Sequence, residues 1–228
     1  MNDAATTVIV ILVVAFGIVA LILYFFYEYK RKKKIMELAS SLGFNFTPHD
    51  IFALPVRFSH ISLFKEGHSR RAKNIIYGTR EGASVFIFEY FYTTGSGKNQ
   101  KTHSFTVCSA ETETDFPYLW IRKERFFDRL ASLVGFDDID FESNEFSKQF
   151  YVKSDSKKFA YEVVNQKTMQ FLLEAPTKPF LEMFHNATVA YLKGRENASV
   201  FLYLYNFVFG FLSCIPDFVL EKYSKQRR

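Results

Sequence analysis

The sequence predicts an α+β fold, in which a single N-terminal transmembrane helix precedes a soluble domain with a largely antiparallel sheet and packed helices. Two observations support this prediction. The run of 24 residues from Ala4 to Tyr27 carries no formal charge, and the chain beyond it mixes β-type hairpin patterns with amphipathic segments. A strict alternation of strand and helix would instead predict a parallel sheet.

The apolar run predicts an uncleaved membrane anchor. At about 1.5 Å of rise per residue it spans roughly 36 Å, which is enough for a hydrocarbon core of about 30 Å. A cleaved signal peptide is the alternative, but no Lys or Arg precedes the run, and bulky aromatic residues occupy 24–27, where a small-residue cleavage site is needed. Basic residues follow the run at 30–34, so the positive-inside rule places the N-terminus outside and the remaining chain in the cytoplasm.

The predicted organisation has three parts: a transmembrane anchor at 1–29, a basic juxtamembrane helix at 30–43, and a cytoplasmic α+β domain at 44–228. The juxtamembrane helix continues to Leu42, and Gly43 is its expected cap. The first stretch of the domain, 44–64, is expected to be irregular because it contains Pro48 and Pro55.

Two hairpins and isolated strands are predicted next. Ala72–Thr79 and Ser84–Thr93 flank the turn Arg80-Glu81-Gly82, and a second turn at 94–99 leads into further β-type patterning. The remaining strands are expected at His103–Ala110, Tyr118–Arg122 and Phe150–Lys153, with a second hairpin built from Pro179–His185 and Thr188–Lys193.

Three helices are predicted in the domain. Lys123–Val134 and Lys157–Gln166 place their apolar residues on one face at helical spacing. Ser199–Ile215 is more apolar, but its 17 residues lie at the short limit for a membrane span. A crossing there would carry the basic C-terminus to the outer face, so we expect a buried or interfacial helix and retain a second span as the alternative.

The charge distribution disfavours nucleic-acid binding. The whole chain is +5, the cluster at 30–34 alone supplies five positive charges, and residues 35–220 contain 20 basic against 21 acidic residues. A nucleic-acid binder carries its basic surplus on the folded surface, and this body has none. The cluster is interpreted as a topology signal, with anionic lipid headgroups as an alternative ligand of Lys30, Arg31, Lys32, Lys33 and Lys34.

The motifs that would indicate catalysis or a bound metal do not occur in this sequence. Ser96-Gly97-Lys98 resembles a phosphate loop only in part, because Tyr92 and Asn99 replace its Gly and Ser/Thr, and a hairpin tip is favoured. The histidines lack zinc-site spacing, and the acidic run 137–142 is interpreted as a solvated turn, with a hard cation as the alternative. We therefore expect no cofactor and no metal, and Cys108 and Cys214 are expected to be reduced thiols.

Glu89 is the carboxylate that most needs an explanation. Strand alternation places it beside Val85, Ile87 and Phe91, in a strand that is otherwise apolar. A carboxylate in such a position must be paired, protonated or at an edge. A structural ion pair with Arg70 or Arg71 is the favoured interpretation, and a ligand-binding or acid/base role is the alternative.

Several segments between Gly67 and Tyr151 resemble a stretch that recurs in uncharacterised bacterial membrane-anchored proteins. They are Gly67-His68-Ser69-Arg70-Arg71-Ala72-Lys73-Asn74, Gly78, the run from Phe88 to Lys98, Leu119–Glu124, and Asp138–Phe141 through Phe146 to Tyr151. The resemblance covers less than half of the chain. It implies a bacterial membrane-anchored domain, and it brings no catalytic residues with it. With the orientation given above, the expected location is the bacterial inner membrane.

Three functions are consistent with these observations. The favoured one is a non-enzymatic accessory or scaffold domain that binds a protein partner at the cytoplasmic face, because aromatic residues are enriched at interfaces. The second is a domain that binds lipid or a small ligand at the membrane surface. The third is an enzyme of unrecognised type that uses Glu89 or the acidic run 137–142.

Overall fold

A computed structural model describes residues 3–124, 139 and 141–224 of the chain. The described elements, in chain order, are α1 (Asp3–Ser41), β1 (Asn45–His49), α2 (Leu54–Arg57), β2 (His68–Arg80), β3 (Ala83–Thr94), β4 (Lys101–Lys123), α3 (Asn144–Gln149), β5 (Phe150–Ser154), α4 (Lys157–Val163), α5 (Gln166–Glu174), β6 (Phe180–Lys193), α6 (Ala198–Leu212) and α7 (Asp217–Lys222). The α+β fold with one candidate transmembrane helix is confirmed.

Helix α1 passes from the apolar run into the domain without a break. The stretch Val8–Tyr27 is exposed along its whole length, whereas Ile35 and Ala39 are almost fully buried in the domain. The helix is long and apolar enough to cross a membrane. It ends at Ser41, and Gly43 adopts the left-handed conformation that is typical of a helix C-cap, as predicted.

The domain is built on a six-stranded antiparallel sheet. Its strand order is β1-β2-β3-β4-β5, and β6 pairs with the other side of the long strand β4. Strands β2 and β3 form the predicted hairpin, in which Glu81 and Gly82 both have positive φ, the requirement of a tight two-residue turn. The Ser96-Gly97-Lys98 segment lies at the tip of the β3–β4 hairpin, also as predicted.

Both faces of the sheet are covered by apolar packing. The end of α1 and the helices of the C-terminal half cover one face, together with Val85 and Ile87 of β3. Leu54, Phe58 and Phe64 cover the other, together with Phe86, Phe88, Tyr90 and Tyr92 of β3. The alternation predicted for β3 is therefore confirmed, because successive residues divide between the two cores.

Three strand predictions were wrong. The stretch 44–64 contains strand β1, which accommodates Pro48 because an edge strand does not need every N–H. The two segments expected at 103–110 and 118–122 form one strand, β4. The predicted hairpin at 179–193 is also one strand, β6, in which His185 has positive φ where the register with β4 shifts, so this residue forms a bulge and not a turn.

The helix predictions had mixed outcomes. The segment expected at 157–166 ends at Val163, and α5 follows it after the cap residue Asn165. Most of the predicted helix Lys123–Val134, half of the acidic run 137–142, and the basic tail 225–228 lie outside the described residues. Helix α6 packs on the sheet with its large side chains buried, including Phe201, Leu204 and Phe211, and therefore belongs to the domain core.

Candidate functional site

Glu89 of β3 lies fully buried at the junction between α1 and the sheet. Its carboxylate pairs with the guanidinium of Arg31 on α1, and its Oε2 accepts a hydrogen bond from Asn74 Nδ2 at 2.8 Å. Arg195, in the loop after β6, places its Nε 3.7 Å from Glu89 Oε1. The carboxylate is thus held by two arginines and an amide, which is the pairing that a buried charge requires.

A second carboxylate completes this network. Glu28 of α1 accepts from Arg195 Nη2 at 2.6 Å and lies 3.7 Å from Arg31 Nη1. Arg31 Nε also donates to the backbone carbonyl of Glu196 at 3.1 Å. Burial, and next the charge of Arg195, lower the pKa of Arg31, and the charges of Glu28 and Glu196 oppose part of that fall. Two cations and two anions balance each other at this junction.

A bulge in β2 brings Asn74 to Glu89. Lys73 pairs with Glu89 and Ile76 with Ile87, so β2 fits one extra residue between these two pairs. Asn74 adopts a positive φ at this point, a conformation that Asn tolerates better than most residues. The extra residue redirects the strand, and the Asn74 amide reaches the carboxylate.

The ion-pair partners of Glu89 differ from those predicted. Arg70 donates to the backbone carbonyls of Lys65, Glu66 and Gly67 and holds that turn in place. Arg71 pairs with Phe91 across the hairpin and stacks its guanidinium 5.1 Å from the ring centroid. Arg71 nevertheless lines the same cavity as Glu89. Strand alternation located the carboxylate correctly, but its partners come from a helix and a loop distant in sequence.

The basic cluster 30–34 does not act as one surface. Arg31 is buried against the sheet, Lys32 is half-buried, and the other three cations are exposed. Their spacing contains a signal that the sequence analysis missed: Arg31, Ile35, Leu38 and Ala39 recur at helical intervals and mark the side of α1 that enters the core. No comparable signal identified Arg195.

A cavity of about 530 Å³ opens beside this network, between α1 and the β2–β3 hairpin. Its α1 wall consists of residues that share one helical face: Tyr24, Phe25, Glu28, Tyr29 and Lys32. The other wall is formed by Arg71, Lys73, Asn74, Glu89, Phe91 and Arg195. The described part of the chain shows no group of three or more His, Cys, Asp or Glu arranged to hold a metal ion.

A second buried carboxylate, Glu182 of β6, lies at a separate place in the sheet. Its Oε1 accepts from the backbone N–H of Ser62 at 2.7 Å. Burial raises the pKa of Glu182, and the Ser62 N–H opposes part of that rise. Glu182 therefore anchors the segment between α2 and β2, a role that no local sequence pattern predicts.

A solved structure shares this fold. The crystal structure of the mycobacterial trehalose monomycolate transport factor A, TtfA, superposes with a TM-score of 0.56 over 81% of this chain and 96% of that chain. The two sequences are 16% identical, so the likeness concerns the fold alone. No family model matches the chain, and no curated protein matches it.

Proposed function

We propose that this chain is a membrane-anchored, non-enzymatic accessory protein whose domain binds a protein partner at the cytoplasmic face of a bacterial inner membrane. The observation that carries the proposal is the uninterrupted helix α1. It extends 14 residues beyond Tyr27 to Ser41, about 21 Å, and its final turns are part of the domain core. A helix that continues without a break from the membrane into the domain core fixes the height and rotation of the domain relative to the bilayer.

The buried ion pairs at the junction strengthen this interpretation. A flexible linker would be sufficient to keep a domain near a membrane, but here Arg31 and Glu28 of α1 bind Glu89 and Arg195 of the domain. Charges buried in this way favour one arrangement, since any other arrangement leaves a charge unpaired. A fixed orientation is useful to a protein that presents one surface to a neighbour in the membrane.

The comparison with TtfA supports an accessory role. The name of that protein assigns it to the transport of trehalose monomycolate, and its fold matches most of this chain. We propose by analogy that the present chain assists a process at the membrane, and we do not assign it the same cargo. The cytoplasmic placement rests on the positive-inside rule applied to residues 30–34.

The proposal is tested by chemical crosslinking in native membranes followed by affinity purification of the full-length chain. A chain that lacks residues 1–27 is purified in parallel. A stoichiometric partner held by both forms supports binding through the domain, whereas a partner lost with the anchor assigns binding to the membrane helix. Recovery of lipid without any protein would refute the accessory role.

A further inference from the structure

The cavity beside the ion-pair network carries a surplus of positive charge. Within the network, Arg31 and Arg195 balance Glu28 and Glu89. Three further cations line the cavity: Lys32, Arg71 and Lys73. The lining itself carries four cations, with Arg195, against the two carboxylates, which is a net charge of about +2. The buried Arg31 behind the lining also pairs with Glu89, which raises the local balance to about +3.

The cations are positioned for an anion that enters from solvent or from the bilayer surface. Arg71 and Lys73 are exposed and come from alternate positions of β2, so they share one face of the strand. The guanidinium of Arg71 stacks on the ring of Phe91, which leaves the N–H groups at its edge available to an oxyanion. Lys32 approaches from the facing wall, on α1.

The height of the cavity matches the lipid headgroups. Its α1 wall runs from Tyr24 to Lys32, about 12 Å along the helix axis. The upper half of that wall is the aromatic end of the uncharged run, and the lower half begins at Glu28, the first charged residue after the run. Aromatic rings followed by cations are typical of the zone where lipid headgroups meet water.

We propose that this cavity binds the phosphate headgroup of an anionic membrane lipid. Arg71, Lys73 and Lys32 contact the phosphate oxygens, and Tyr24 and Phe25 border the part of the lipid that continues into the bilayer. The site differs from the cluster expected at 30–34, because only Lys32 of that cluster lines the cavity. The inference rests on the membrane anchoring proposed above, but not on the partner or on the orientation of the domain.

The test is native mass spectrometry of the full-length protein in a neutral detergent, titrated with phosphatidylglycerol or with phosphatidylcholine. The site variant is Arg71→Gln/Lys73→Gln. Its matched control, Lys30→Gln/Lys34→Gln, removes the same charge at a similar height, from residues that do not line this cavity. Far-UV circular dichroism verifies that each variant is folded, and thermal melts with inorganic phosphate test whether the free anion is sufficient.

The wild type and the control are expected to bind one phosphatidylglycerol in preference to phosphatidylcholine. The site variant is expected to bind it about thirtyfold more weakly, since two cations contribute about 2 kcal/mol together and each 1.4 kcal/mol is about tenfold. Equal weakening in both variants would indicate diffuse attraction and overturn the proposal, as would no weakening in either. Stabilisation by inorganic phosphate equal to that by the lipid would overturn the assignment to a lipid. A negative result here leaves the partner experiment unaffected, so the two proposals fail separately.

Discussion

Replacing Arg31 by Met tests the ion-pair network at the junction between anchor and domain. The change removes the cation that pairs with Glu89 and leaves this carboxylate with Asn74 at 2.8 Å and Arg195 at 3.7 Å. Breaking a buried pair by removing one partner costs about 3–5 kcal/mol. Because two contacts remain, we expect the lower end of that range, about 3 kcal/mol, or about 6–12 °C in melting temperature for a domain of this size.

The double variant Arg31→Met/Glu89→Met separates the charge effect from the packing effect. It removes one cation and one anion and leaves the pair of Arg195 and Glu28, joined at 2.6 Å, electrically balanced. Replacing both members of a buried pair by apolar residues is often neutral. The double variant should therefore recover at least half of the stability lost in Arg31→Met.

The assay is urea unfolding of the full-length chain in mild detergent, followed by circular dichroism. Lys34→Met, at an exposed position one turn further along α1, is the matched control and should change stability by less than about 0.5 kcal/mol. Two results would show that Arg31 does not stabilise the junction through Glu89. One is a cost for Arg31→Met no larger than that of the control. The other is a double variant whose loss of stability equals the sum of the losses measured for Arg31→Met and for Glu89→Met alone. Additive losses mean that the two groups do not interact.

Three further predictions concern the domain core and use the same unfolding assay. Gly78→Ala should lower the free energy of unfolding by about 1–3 kcal/mol, because the added Cβ would overlap the ring of Phe44. Thr79→Ala, at the exposed position beside it, is the control and should be nearly neutral. Equal losses in the two variants would contradict this packing. Phe201→Ala should lower the free energy of unfolding by about 3–5 kcal/mol, because this ring of α6 is fully buried. Phe218 is 57% exposed, so Phe218→Ala should cost far less. A small effect at Phe201 would mean that α6 is not a core helix. Burial raises the pKa of Glu182 in the folded protein. The protonated carboxyl group therefore contributes its full stability below the unfolded pKa of about 4.3, and this stability is lost as the pH rises through the folded pKa. Glu182→Gln should therefore gain stability relative to the wild type between pH 4 and pH 8, and a difference that does not change with pH would refute the assignment.

The fold class followed from local pattern, whereas the strand boundaries depended on tertiary context. Alternation in β3 was strong enough to assign each residue to its face. Pro48 suggested an irregular segment, yet a strand at the edge of a sheet accommodates it. The strands expected at 103–110 and 118–122 are one strand, in which Glu111 is held by Arg57 at 2.6 Å from a distant part of the chain. The local sequence pattern does not reveal contacts between residues so far apart in the chain.

The candidate site was predicted only in part. Glu89 was identified because a carboxylate in an apolar strand needs a partner, and that argument requires only the strand itself. Arg31 was grouped with its basic neighbours, although helical spacing with Ile35 and Ala39 distinguishes it from them. Arg195 lies in a loop 106 residues after Glu89 along the chain, and only the folded sheet brings the two together. The cavity itself depends on the angle at which α1 meets β2 and β3, which no local pattern specifies.

The rigid attachment of the domain to α1 can be measured as a distance distribution across the junction. Spin labels would be attached at Val19→Cys in the apolar part of α1 and at Lys158→Cys on α4, and their distance would be measured by pulsed electron paramagnetic resonance in lipid nanodiscs. The native Cys108 and Cys214 are buried, so the label reacts with the introduced cysteines. Ser40→Cys with Lys158→Cys is the control pair, since both positions belong to the domain. We predict a single distribution across the junction, as narrow as that of the control pair. A broad or multiple distribution would show a hinge near Glu28 and would contradict the account.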